Sequence, residues 1–182
     1  MAPLPSTTNS LTMAPPPSTT ISPIVILIVR VLTFISLLFS VIIIATNTAT
    51  STVATSFGLI DIKINFSAFY AYRYMVATGV IGMAYALLQT AFTIFYVTTG
   101  TRFGGDGLAF LDFYGDKVFS YLLATGAGAG FGLTVDLKQN DDSETNSFLN
   151  KAIAAASLLL IGFIFSAISS VFSSLSLSKK AV

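Results

Sequence analysis

Four stretches of the chain are apolar for long enough to cross a bilayer, and they set its architecture. Hydrophobic positions dominate residues 24–46, 74–98, 113–135 and 152–178. At about 1.5 Å of rise per helical residue, each covers the roughly 30 Å of hydrocarbon in a membrane. The first run contains one charge, Arg30; the second and fourth contain none; the third has Asp116 and Lys117 near its start. An even number of spans returns both ends of the chain to one side. The pattern predicts an all-α membrane protein, an antiparallel four-helix transmembrane bundle occupying residues 24–178.

Between the first two runs the period changes from helical to two. Ile60, Ile62, Ile64 and Phe66 alternate with Asp61, Lys63 and Asn65, which predicts a strand over 59–66. Gly58 can turn that strand back onto the Thr-rich residues 50–55, so a small β-hairpin is expected in the first extracellular loop, lying over the bundle. The second loop, 99–112, holds Gly100, Gly104, Gly105 and Gly107 and reads as irregular. The third, 136–151, is polar and acidic. Residues 1–23 are rich in Pro, Ser and Thr, and Met-Ala-Pro-Leu-Pro-Ser-Thr-Thr at 1–8 returns at 13–20 with one change. Such a composition buries too little apolar area to offset chain entropy, so it reads as a disordered cytoplasmic tail. It lacks the Lys or Arg of a signal-peptide n-region, which leaves the first span as its own insertion signal. Residues 179–182 form a short cytoplasmic tail.

Composition sharpens this picture. Of 182 residues, 54% are hydrophobic and 9% charged, against roughly 25% charged in soluble domains; lipid is the expected solvent. A net charge of +1 offers no basic face for nucleic acid. Without Cys or His, disulfides, thiolate or imidazole metal sites and His-dependent nucleophilic catalysis are excluded. No catalytic residue, cofactor or metal site is expected. Asp136, Asp141, Asp142 and Glu144 do not have EF-hand spacing. The glycine-rich residues 100–107 lack the Gly-Lys-Ser/Thr ending of a phosphate loop.

A charge about six residues into a span needs a partner, since an Arg at the bilayer centre costs about 2.5 to 3.5 kcal/mol. Spans one and three cross in the same direction, so Arg30 and Asp116 lie at comparable depth and form a candidate intramembrane ion pair. The alternative has Arg30 snorkelling to the headgroups and Asp116 capping a helix beside Lys117. Small residues recur every fourth position at Ser120, Ala124, Gly128 and Gly132, with Gly126 and Gly130 beside them, and again at Ser166, Ser170, Ser174 and Ser178. These are candidate helix-packing faces, within the bundle or between subunits. Gln89, with Thr90 and Thr93, reads as an amide bonding across helices, or else as part of a substrate path. Phe69, Tyr70, Tyr72 and Tyr74, with Phe110, Phe113 and Tyr114, read as interfacial aromatic belts. The balance of Lys and Arg leans toward cytoplasmic termini, and Asn65-Phe66-Ser67 is a glycosylation sequon usable only on a lumenal loop.

Three segments together resemble the plant Casparian strip membrane domain protein-like (CASP-like) family, which is related to the MARVEL tetraspans. They are Ile28-Val-Arg30-Val-Leu in the first span, the run from Asp116-Lys-Val-Phe-Ser-Tyr to Thr-Gly-Ala-Gly-Ala129 in the third, and Phe66-Ser-Ala-Phe-Tyr-Ala-Tyr-Arg-Tyr74 before the second. The resemblance spans roughly residues 24–180. It implies a multi-pass plasma-membrane protein with cytoplasmic termini, forming homodimers or higher homo-oligomers and hetero-oligomers with family members, without enzymatic activity or cofactor. Strip-building members carry a first-loop stretch like Glu-Ser-Leu-Pro-Phe-Phe-Thr-Gln-Phe, whereas residues 56–66 here read Ser-Phe-Gly-Leu-Ile-Asp-Ile-Lys-Ile-Asn-Phe. The third-loop cysteines of some members are also missing. The expectation is therefore a self-associating scaffold in the lipid bilayer that organises a membrane domain and recruits cell-wall-modifying or other partners. The competing expectation is a channel or transporter accessory subunit.

Overall fold

The computed structural model describes residues 23–55, 58–99, 105–140 and 146–178. The terminal tails, the tip of the first loop, the glycine-rich residues 100–104 and the acidic residues 141–145 lie outside that set. Helix α1 spans Pro23–Ala45, α2 Tyr70–Thr99, α3 Gly105–Asn140 and α4 Asn146–Ser178; strands β1 (Thr48–Thr55) and β2 (Gly58–Asn65) stand between α1 and α2. All four helices are long and apolar enough to cross a membrane. Each packs on two neighbours in the ring α1, α2, α3, α4, which places α1 diagonally across from α3.

The helices overrun the stretches expected from hydropathy. At 36 residues, α3 is about 54 Å long, well beyond the hydrocarbon thickness. Hydropathy finds only the part of a helix that sits in lipid. Helix α3 continues beyond its apolar run at both ends, so the second loop expected to be irregular over 99–112 is helical from Gly105. Likewise α2 starts at Tyr70, where the Arg73 amide already bonds back to the Phe69 carbonyl at 3.1 Å.

The hairpin forms with Ile64 opposite Ala49, Ile60 opposite Val53 and Gly58 opposite Thr55. β-Branched residues fill five of the eight positions of β1 and three of the eight of β2, where their stiff side chains suit extended backbone. Gly58 adopts φ +129°, a conformation that side chains with a Cβ rarely reach, so its position beside the turn requires glycine. At the base of the hairpin, Ala49 and Phe66 pack against the buried core. Leu59 and Ile60 near the tip are exposed.

Buried positions along the four helices step by three and four. On α1, and on Asn47 just beyond its end, they are Arg30, Thr33, Leu37, Ser40, Ile44 and Asn47; on α3 they are Asp116, Ser120, Leu123, Ala127, Gly130 and Thr134. Helix α2 follows with Tyr72, Met75, Gly79, Gly82, Ala86 and Gln89, and α4 with Ala152, Ala155, Leu159, Gly162, Ser166 and Ser169. That average of 3.5 is the repeat of left-handed helical bundles. In the central layer two large residues meet two small ones: Leu37 and Leu123 fill the space that Gly82 and Gly162 leave. A Cβ on Gly162 would lie 2.7 Å from Leu37 Cδ2, and one on Gly82 would lie 2.8 Å from Leu123 Cδ2.

Polarity is inverted relative to a soluble bundle. Ile28, Val31, Leu32, Ile35, Phe39 and Ile42 of α1 face outward, while Thr33, Ser36 and Ser40 face in. Two of these hydroxyls hold α1 to α4: Ser36 donates to the Leu158 carbonyl and Ser40 to the Ala155 carbonyl, both at 2.7 Å. At the hairpin end, Tyr72 is fully buried with its hydroxyl 2.9 Å from Thr134 Oγ1 and its ring edge-on to Phe148. It is a core residue, unlike the interfacial anchor the sequence suggested, because its place in the heptad turns it inward. Tyr70, two residues earlier, is 86% exposed and fits the belt.

Candidate functional site

At the end of the bundle opposite the hairpin, every helix contributes a polar side chain to one buried cluster. Helical spacing sets this up. Tyr85, Gln89 and Thr93 form an i, i+4, i+8 stripe on α2, Asp116 and Ser120 are four apart on α3, and Ser166 and Ser169 share the inner face of α4. Arg30 enters from α1, one turn before Thr33.

Arg30 is 6% exposed and Asp116 3%. Their closest charged atoms, Nη2 and Oδ2, are 3.9 Å apart, within ion-pair range and beyond hydrogen-bond range. The diagonal arrangement explains the gap: the two side chains reach toward each other across the bundle axis. Each has nearer neutral partners. Arg30 Nη1 donates to Gln89 Oε1 at 2.6 Å, to the Gln89 carbonyl at 2.7 Å and to Thr93 Oγ1 at 2.8 Å. Two hydrogens thus serve three acceptors. Asp116 Oδ1 accepts from the Tyr85 hydroxyl at 2.7 Å and Oδ2 from Ser169 at 3.3 Å.

Tyr85 links the two charges through neutral groups, since its hydroxyl accepts from Gln89 Nε2 at 2.7 Å while donating to Asp116. Its ring stacks on Phe119 with centroids 3.9 Å apart, which fixes the direction of the hydroxyl. The chain Arg30, Gln89, Tyr85, Asp116 is therefore continuous around the α2 side. On the α4 side, Ser120 and Ser166 lie 3.1 Å apart, and Ser120 also bonds the Asp116 carbonyl at 2.5 Å. Such an arrangement neutralises charge and joins four helices. Among the described residues no group of three or more Asp or Glu side chains is placed to hold a metal ion.

The structure brings Arg30 and Asp116 together and adds Gln89 as the nearest partner of the guanidinium. Tyr85 and Ser169 were not expected in the cluster. Tyr85 could have been reached by asking which polar residues lie one turn from Gln89, whereas Ser169 is hidden among many serines of α4. The small-residue faces divide. Ser120, Gly126, Gly130, Ser166 and Ser170 are buried, and a Cβ on Gly126 would collide with Thr78 Oγ1. Ala124 and Ser174 are half-buried. Gly128 and Gly132 instead point outward, and a Cβ at either would meet nothing within 4 Å, so they do not pack the bundle. A step of four advances about 40° around a helix, so the row beginning at buried Ser120 has turned away from the core by Gly128. The Ser178 side chain lies outside the described residues. Asn65 closes β2 and is exposed.

The Casparian strip membrane protein domain matches residues 20–165. A CASP-like protein 4D1 from Ricinus communis is 52% identical over 171 residues, covering 92% of this chain and 99% of that protein. The 4D1 protein of Glycine max is 49% identical over 166 residues, covering 91% and 94%. CASP-like protein 4D2 of Arabidopsis thaliana is 41% identical over 179 residues, covering 92% and 99%. No solved structure matches the chain.

Proposed function

This chain belongs to the Casparian strip membrane protein domain family, and from that premise we propose that it is a non-enzymatic, self-associating scaffold of the plasma membrane. It organises a membrane domain through its outer faces, as a homo-oligomer and with family members, and recruits cell-wall-modifying or other partners. Its termini are cytoplasmic and the hairpin faces outward. One observation carries this reading: the polar side chains around Arg30 and Asp116 bond mainly to one another. The cluster around Arg30 and Asp116 leaves a cavity of only about 20 Å³, and the Leu37 and Leu123 layer fills the axis beside it. That packing supports a scaffold over a conducting path through one chain, and it gives Gln89 a partner in Arg30 rather than in a substrate.

What remains to offer is surface. On α3, Gly128 and Gly132 leave the backbone open to close approach by another helix, which in lipid relies on van der Waals contact. The test is single-molecule photobleaching of tagged protein in native membrane. Wild type should bleach in several steps, and Gly128→Leu with Gly132→Leu should shift the distribution toward single steps. Single-step bleaching of wild type would overturn self-association. Orientation has its own assay, because the chain contains no cysteine: Leu59→Cys should react with an impermeant maleimide added outside intact cells, and failure there with reaction after permeabilisation would invert the topology.

A further inference from the structure

The polar cluster contains a mismatch that its own side chains do not resolve. Arg30 Nε is buried with no hydrogen-bond partner, and Nη2 stands 3.9 Å from Asp116 Oδ2. All three acceptors of the guanidinium gather at Nη1. Arg30 and Asp116 both line the cavity of about 20 Å³, together with Tyr85, Gln89, Ser166 and Ser169 among others. A cavity needs about 10 to 15 Å³ on this measure to hold a water molecule, together with two to four polar partners. This one meets both conditions.

We propose that the cavity is a binding site for a single water molecule that completes the Arg30 and Asp116 pair. The water accepts from the guanidinium and donates to Oδ2, with Ser166 or Ser169 as a further partner. Two bonds of about 2.8 Å meeting at one oxygen close to a right angle span the observed separation. The pair is then a hydrated contact held between α2 and α4. The ordering of one water is offset by pairing a guanidinium edge that otherwise lacks an acceptor, which is costly in a low-dielectric interior. The site stands whether or not the protein self-associates.

The experiment uses the full chain in lipid nanodiscs with ¹⁵N-labelled arginine. The chain has three arginines, so Arg73→Lys and Arg102→Lys assign the Arg30 Nε–H signal by elimination. That proton should show a cross-peak at the water frequency, with the sign that separates dipolar contact from proton exchange. Ser169→Val, which fills the cavity, should abolish the peak and melt earlier than Ser169→Ala. A wild-type Nε–H signal with contacts to protein protons alone would overturn the proposal, as would a water peak unchanged in Ser169→Val. Should Ser169→Val fail to fold, the wild-type spectrum decides.

Discussion

Neutralising Arg30 and Asp116 one at a time and then together separates the charge pair from its neutral surroundings. At 3.9 Å, two unit charges attract by about 4 kcal/mol at an effective dielectric near 20, which sets a ceiling on their coupling. Arg30→Met leaves a carboxylate buried with Tyr85 and Ser169 as donors, and should cost about 3 to 5 kcal/mol. Asp116→Asn keeps an acceptor for only one of those two donors and leaves the guanidinium on Gln89 and Thr93, so its cost is smaller, about 2 to 3 kcal/mol. The double variant holds neither charge. Its cost should fall short of the sum by about 2 to 4 kcal/mol, measured by steric-trap unfolding in bicelles. Additivity within about 0.5 kcal/mol would refute a direct pair and leave the neutral bonds as the whole of the site. Exchanging the residues, Arg30→Asp with Asp116→Arg, should rescue little, since the Gln89 carbonyl that accepts from Arg30 would then face a carboxylate.

Tyr85→Phe keeps the stack on Phe119 while removing a hydroxyl that both donates to Asp116 and accepts from Gln89; a loss of about 1.5 to 3 kcal/mol is expected in the same unfolding assay. Gly126→Ala forces a methyl against Thr78 and should cost about 1 to 3 kcal/mol, whereas Gly128→Ala meets nothing and should be neutral or stabilising by up to about 1 kcal/mol through helix propensity. Asn47→Leu removes the donor that ties the end of α1 to the Phe148 carbonyl at 2.8 Å, and earlier thermal aggregation together with faster hydrogen exchange at the start of α4 should report it. If the hairpin faces the lumen during synthesis, the exposed Asn65 is open to glycosylation, and any mobility shift that a glycosidase removes should vanish in Asn65→Gln.

Four spans, their antiparallel order and the hairpin were legible because each rests on a one-dimensional signal: run length for the helices, alternation for the strand. The facing of each helix was not. In water an apolar stripe marks the inside, but lipid makes both faces of these helices apolar, and Ile28 or Val31 outside looks like Leu37 or Ile44 within. The usable signal runs the other way, through the polar minority. Arg30, Thr33, Ser40 and Asn47 on α1 and Asp116, Ser120 and Thr134 on α3 all fall on the buried three-and-four pattern. Small residues at every fourth position instead follow a line that winds off the core, from buried Ser120 to outward Gly128 and Gly132.

The same geometry explains why the charges are not directly bonded. Spans one and three were expected at matching depth, and they are, but a square of helices puts them on a diagonal. Diagonal partners meet only if both side chains extend over the axis, so the adjacent helices must occupy the space beside them. Here α2 supplies Gln89 and Tyr85, which accept from the cation and donate to the anion, and α4 supplies Ser169. Loss of register in α2 would strip Arg30 of Gln89 and Thr93 and Asp116 of Tyr85, whereas loss of register in α4 would take Ser169 from Asp116. The ion pair therefore ties all four spans together through the two helices that carry no charge of their own in the hydrophobic runs.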